Sequence, residues 1–137
     1  MLLTQTASAD WVKQRSASFA WFHDITFTNE NNGWIVGSGG TMLTTTDGGT
    51  TWTQFPKFTS DNLVEIHFSD AKIGWILCQR DIYSRGGNAV SYLRKTIDGG
   101  LTWEIVEFES GGRERVAKLL FDDKGSAIAI GEGGIFY

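Results

Sequence analysis

The chain has 137 residues, enough for one domain with its own core. Hydrophobic residues make up 41% and charged residues 20%, a balance that excludes intrinsic disorder. A formal charge of −4 and a pI near 5.1 exclude a basic nucleic-acid-binding surface, and no apolar run reaches the roughly 20 residues of a membrane span.

In chain order, Asp10-Trp11-Val12-Lys13-Gln14 reads as the tail of a repeat and predicts a last strand of a preceding unit at 8–15. Strands are predicted near 23–28, 33–37, 41–46 and 51–55, then near 63–68, 74–79, 90–97 and 102–108, and finally near 116–121, 127–131 and 134–137. Branched and aromatic residues fill them, with Gly, Asn and Asp between. No window sustains a helical period. Met1 to Ser8 has neither the basic start nor the apolar length of a signal peptide, so an exported form would carry its signal outside these residues. Cys78 is the one cysteine; it cannot form an internal disulfide, and Trp75-Ile76-Leu77-Cys78 reads as a buried strand with a structural thiol.

The strands repeat. Thr45-Thr46-Asp47-Gly48-Gly49-Thr50-Thr51-Trp52 recurs as Thr96-Ile97-Asp98-Gly99-Gly100-Leu101-Thr102-Trp103, sharing T-x-D-G-G-x-T-W. Ile25-Thr26-Phe27 matches Ile66-His67-Phe68, and Gly33-Trp34-Ile35 matches Gly74-Trp75-Ile76, both at a spacing of 41. Trp34 to Asp47 is 13 residues but Trp75 to Asp98 is 23, so an insertion lies around Gln79 to Ala89. Phe121 to Tyr137 aligns without gaps on Phe27 to Leu43. Four-stranded units of about 40–50 residues are blades of a β-propeller. The expected fold is therefore all-β, with four-stranded antiparallel blades: one partial propeller domain over 1–137, with whole blades at 23–56 and 62–109, an insertion at 79–89, and an unfinished blade at 116–137.

The chemistry of the repeated box is that of a corner. Asp47 can accept N–H groups of its own turn, Gly48 and Gly49 supply positive φ, Thr51 bonds across, and Trp52 covers the hairpin. Thr45, Asp47, Gly49, Thr51 and Trp52 are thus structural candidates, as are Thr96, Asp98, Gly100, Thr102 and Trp103. One carboxylate per box is too few for a calcium site of six to eight oxygens. Gly37-Ser38-Gly39-Gly40 is a hairpin turn, since neither a helix nor Lys-Ser/Thr follows to make a phosphate loop. No Cys/His/carboxylate spacing indicates zinc, and no metal or cofactor is expected.

The box resembles the Asp-box, or bacterial neuraminidase repeat. The longer string G-W-x-V-G-x-x-G-x-x-L-x-T-x-D-G-G-x-T-W, running from Gly33 to Trp52, is similar to the photosystem II stability/assembly factor family and its non-photosynthetic bacterial relatives. The resemblance implies a larger, seven-bladed propeller, exported to a periplasm, thylakoid lumen or cell surface, that acts as a non-catalytic assembly scaffold. It also implies that the boxes lie away from the functional face.

Propeller connectivity places the box hairpins at one end and the insertion and inter-blade loops at the other. Arg80, Asp81, Tyr83 and Arg85 lie on the insertion, and Arg113 and Arg115 on the following inter-blade loop. Guanidinium forks suit carboxylates and phosphates, and Tyr83 adds an aromatic face. These six residues are the candidate binding site for a protein partner. The alternative is a solvated loop whose Arg80–Asp81 and Arg113–Glu114–Arg115 charges pair among themselves. A glycosidase fragment, sialidase- or xyloglucanase-like, is the other functional class. It needs a carboxylate pair about 5–9.5 Å apart, and nothing marks Asp81, Glu109 and Glu114 as such a pair. An incomplete ring would leave apolar blade faces open, so self-association or further blades are expected.

Overall fold

The computed structural model describes residues 11–16, 18–81, 83, 86, 89–108, 114–122 and 126–134. Two four-stranded antiparallel sheets carry the fold, each in simple chain order. The first holds β1 (Phe22–Phe27), β2 (Gly33–Gly37), β3 (Met42–Thr45) and β4 (Thr53–Gln54). The second holds β5 (Asn62–Phe68), β6 (Gly74–Gln79), β7 (Ser91–Thr96) and β8 (Glu104–Val106). A third sheet has β9 (Val116–Phe121) paired with β10 (Ala127–Gly131). These are propeller blades, called blades 1, 2 and 3 below. Of the strand predicted at 8–15, residues 8–10 lie outside the described residues and 11–15 form no strand, although Gln14 accepts a hydrogen bond from Trp52 Nε1 at 3.1 Å. The predicted strand at 134–137 falls largely outside the described residues. Gly134 itself closes a 3₁₀ turn, Glu132–Gly134, that matches the turn Ser38–Gly40 in blade 1.

Alternation along each strand gives a blade two unlike faces. A residue bulges out of the first strand of every blade: His23, Val64 and Ala117 have no partner in the register. Leu63, Ile66, Ile76 and Cys78 of blade 2 point back to Trp34, Val36 and Met42 of blade 1, forming one buried cluster. Leu77, with Val64 and Leu93, meets Val116, Leu119 and Ala129 of blade 3 in a second. Cys78 is fully buried, and burial pushes its thiol up to about 12. The thiol is therefore unionised near neutral pH.

Polar contacts lock the same junctions. Asp24 Oδ2 accepts the N–H of Ile66 at 2.9 Å. One repeat later, Glu65 Oε2 accepts the N–H of Leu119 at 2.9 Å, and its Oε1 pairs with Lys118 at 2.7 Å. His67 stacks on Phe121 with ring centroids 4.1 Å apart. At the loop end, Gly40 sits at φ 72° with its Cα against Thr59; a Cβ there would lie 1.9 Å from the Thr59 carbonyl oxygen.

The two boxes have matching geometry. Thr45 is buried; its hydroxyl donates to Asp47 Oδ1 at 2.8 Å and accepts the Gly49 N–H at 2.9 Å. Asp47 Oδ1 also accepts the Thr51 N–H at 2.9 Å, and Oδ2 accepts the Thr51 hydroxyl at 2.6 Å. Thr96, Asp98, Gly100 and Thr102 repeat this set at 2.7, 2.9, 3.0 and 2.5 Å. Gly49 and Gly100 stand at φ 85° and 89°, where a side chain would be strained. Trp103 covers its box edge-on to Phe68, which in turn lies 4.5 Å from Trp34 of the preceding blade. Trp52 meets Phe27 in the same edge-on way but is only half-buried, since no blade stands behind it among the described residues. Both oxygens of each carboxylate accept hydrogen bonds from within the box.

Hydrogen bonds from Thr51, then Thr45, hold Asp47 at about 2 rather than the ordinary 3.8, and Thr102 does the same for Asp98. A depressed folded value gives stabilisation that is complete above about pH 4 and is lost as pH falls through about 2. Tryptophan fluorescence in denaturant titrations should show wild-type stability declining across that window. The double variant Asp47→Asn, Asp98→Asn should be weaker at pH 7 and flatter in acid. Gly40→Ala should lower stability by about 2 kcal/mol or more, from forced φ and overlap with Thr59.

Candidate protein-binding face

Antiparallel order puts the β2–β3, β4–β5, β6–β7 and β8–β9 connections at the end opposite the boxes. Hydrogen bonds tie these connections together. The Gly39 N–H donates to Asn62 Oδ1 at 3.0 Å, and the Glu132 N–H donates to the Arg115 carbonyl at 2.8 Å. These bonds join neighbouring connections at this end.

At its centre lies a group that spacing alone did not reveal. Tyr92 on β7 is almost fully buried, and its hydroxyl donates to Asp61 Oδ2 at 2.8 Å. Burial pushes the phenol up to about 12. Thr59 donates to the same carboxylate oxygen at 3.1 Å, fixing the 55–61 loop on blade 2. Above the Tyr92 ring, at 3.9 Å, lies the guanidinium of Arg80. Arg80 also donates to the Ala89 carbonyl at 2.9 Å and forms an ion pair with Glu107. The Glu107 hydrogen bonds hold the guanidinium proton more firmly.

Arg80 is therefore a brace as well as a site candidate. Its side chain is 11% exposed, and it clamps both stems of the insertion to the β8–β9 connection. Its partner is Glu107, not the neighbouring Asp81. Asp81 instead accepts the Tyr83 N–H at 2.7 Å, turning the loop. Tyr83 stands clear, at 92% exposed. Arg115 donates to Gln79 Oε1 at 2.9 Å, and Gln79 Nε2 donates to the Val116 carbonyl at 3.0 Å. Gln79 thus separates Arg80 from Arg115 and joins blades 2 and 3. Arg85 and Arg113 lie outside the described residues. Glu107 and Tyr92 escaped the sequence reading because each lies in a strand or strand end, where the pattern signals only β structure. The signal that was available was Tyr92 directly opposite Cys78 on β6, a buried position for a residue with a hydroxyl.

Comparison with known proteins gives this geometry a family. The model of the photosynthesis system II assembly factor YCF48 family matches residues 3–85. The photosystem II assembly protein Ycf48 of Synechococcus sp. strain JA-3-3Ab is 34% identical over 79 residues, covering 53% of this chain and 23% of the relative. That of strain JA-2-3B'a(2-13) is 35% identical over 68 residues, covering 48% and 20%. Among solved structures, YCF48 bound to a D1 peptide superposes with a TM-score of 0.67 at 24% identity, over 86% of this chain and 36% of that one. YCF48 from Cyanidioschyzon merolae gives 0.69 at 20% identity, over 90% and 35%. The chain thus spans 23% or less of the curated relatives it matches. It belongs to the YCF48 family of photosynthesis system II assembly factors.

Arg80→Ala should lower stability by about 1–3 kcal/mol in chemical denaturation, from the lost stack on Tyr92 and the orphaned Ala89 carbonyl. Arg115→Ala should cost about 1 kcal/mol or less, since it loses one hydrogen bond at a half-buried site.

Proposed function

We propose that this member of the YCF48 family is a non-catalytic, protein-binding assembly factor, and that it takes an extended polypeptide on the loop face of blade 2. The observation that carries the proposal is the anchoring of two arginine-bearing loops side by side. The stem of the insertion and the β8–β9 connection meet at the Arg80–Glu107 pair and the Arg115–Gln79 bond. A rigid base with projecting loops is the usual arrangement for recognition. The blades at 23–56 and 62–109 supply that base. The solved relative with a D1 peptide shows a YCF48 protein holding a peptide. Its family membership argues for scaffolding rather than glycoside hydrolysis.

Within this face the roles differ. Tyr83, Arg85, Arg113 and Arg115 would meet the partner, with the guanidinium forks on its carboxylates and Tyr83 packing on its chain. Arg80 and Asp81 would shape the loop. An overall acidic chain can still present a local basic patch, and such a patch acts over roughly a Debye length, about 8–10 Å at moderate salt.

Titration of a fluorescent D1 peptide onto the 137-residue chain tests the reading. Binding should weaken as salt rises. The triple variant Arg85→Ala, Arg113→Ala, Arg115→Ala should bind at least about tenfold more weakly, with its melting temperature lowered by no more than about 5 °C. Unchanged affinity in that variant would reject the arginine loops as the site.

A further inference from the structure

A cleft of about 400 Å³ opens at the box end between blades 1 and 2, two complete four-stranded sheets. Small-molecule sites span roughly 300–1,000 Å³. Blade 2 makes room with Ala71, Gly99 and Gly100, residues of little or no side chain, and adds Leu101. Blade 1 supplies Thr28, Asn32, Thr44 and Thr46, with Trp34 and Phe55. Among the described residues those four polar side chains make no hydrogen bond, and neither does the indole N–H of Trp34. Trp34 is 9% exposed and packs on Phe68. Its Nε1 lies at the blade 2 wall, 3.1 Å from where a side chain on Gly100 would begin. A nearly buried donor on a cavity wall calls for an acceptor from within the cavity.

The fold itself does not demand this lining. One repeat later the positions of Asn32, Thr44 and Thr46 hold Ile73, Lys95 and Ile97. Thr44 lies directly opposite Trp34 in the ladder, as Lys95 does opposite Trp75. The Lys95 ammonium lies over the Trp75 ring at 4.9 Å, whereas the shorter Thr44 leaves space beside Trp34. Neutral hydroxyl and amide groups are thus a property of this junction and not of the repeat.

We propose that this cleft binds one hexopyranose unit of a neutral glycan, without cleaving it. The charge of the lining selects the ligand class. No lysine, arginine or glutamate is among the described residues that line it. Asp98, its one acid, accepts hydrogen bonds from Thr96, Leu101 and Thr102 of its own box. An ion entering here would lose water and meet no counter-charge. A sugar ring loses much less, because it is neutral and carries hydroxyls on its rim and C–H groups on its faces. Asn32, Thr44 and Thr46 can each donate and accept, as sugar hydroxyls require. The Trp34 N–H donates to one of the sugar oxygens, and Phe55 and Leu101 pack on its C–H groups. Glycoside cleavage needs a pair of carboxyl groups, and the lining holds one, held within its box. The cleft lies at the end opposite the arginine loops, so it stands whether or not that face binds a peptide.

Proton–nitrogen correlation spectra of the 137-residue chain, titrated with the methyl β-pyranosides of glucose, galactose and mannose, are the test. At least one glycoside should shift the Trp34 indole signal saturably, with a Kd on the order of 1 mM, the strength open to a ligand of this size. The Trp52 indole, bonded to Gln14 outside the cleft, should not move. Asn32→Ala and Thr44→Val should each weaken binding at least about threefold, and about tenfold together, since each leaves a sugar hydroxyl without its partner. Thr50→Val, outside the cleft, should leave the affinity as it was. Thr46→Ala replaces either variant if its spectrum shows that it does not fold. No saturable shift at Trp34 with any of the three glycosides would overturn the proposal. So would full affinity in the double variant. So would a response to a neutral tripeptide but to none of the glycosides, which would assign the cleft to polypeptide.

Discussion

A twisted four-stranded sheet with apolar residues on both faces cannot exist alone in water, and the rest of this molecule follows from that constraint. Each fully buried Ile, Leu or Phe contributes about 1.5–3 kcal/mol. Ile66, Leu63, Ile76, Leu77 and Leu119, all nearly inaccessible, are buried only because neighbouring blades stand against them. Stacking is directional. Asp24 reaches from blade 1 to Ile66, and Glu65 from blade 2 to Leu119, an equivalent bond at each junction made toward the next blade. An apolar face alone would let blades slide. A carboxylate on a fixed N–H sets the register, because a slip leaves both groups desolvated and unpaired.

That division leaves the two ends of the stack with separate work. The box hairpins are held at their own end: a buried threonine hydroxyl, an aspartate with both oxygens engaged and two glycines complete the turn, and the Gly48 and Gly99 N–H groups donate to the Asn31 and Lys72 carbonyls of the adjoining connections. They demand nothing of the opposite end, where the connections differ in length and content from blade to blade. At that end the contacts cross between elements. Asp61 of the β4–β5 connection holds Tyr92 of β7, Tyr92 carries Arg80, and Arg80 reaches Glu107 beyond β8. One chain of contacts spans the whole width of blade 2.

The sequence made the blades legible because their signals are local. Strand alternation, the D-G-G corner and the 41-residue spacing each lie within a few residues of the structure they specify. β2 and β6 were placed at Gly33–Gly37 and Gly74–Gln79 from pattern alone. β4 and β8 proved shorter than their predicted spans, since the outermost strand of a blade has one neighbour and frays sooner. The described part of the strand predicted before blade 1, residues 11–15, forms no ladder, because strand structure needs a partner and pattern supplies only half of the pair. The candidate face was harder to read. Arginines can be counted along a chain, but whether one is occupied depends on what folds over it. Glu107 lies 27 residues from Arg80, and no spacing rule joins them.

The arginines of this face therefore divide by burial rather than by charge. Arg80 leans on an aromatic ring inside the blade that has neighbours on both faces, where Leu77 and Cys78 are fully buried. A cation there is held by its surroundings before any partner arrives. Its charge is largely spent on Glu107, so it adds little to the field outside. Among the described residues, the Arg115 guanidinium bonds to the neutral amide of Gln79 rather than to a carboxylate. A long loop needs a stiff stem if its tip is to present a defined shape, and ordering the stem beforehand reduces the entropy lost on binding. The insertion sits on blade 2, where its stem is clamped by Arg80 through Ala89 and Glu107, and its exposed Tyr83 stands beyond that clamp.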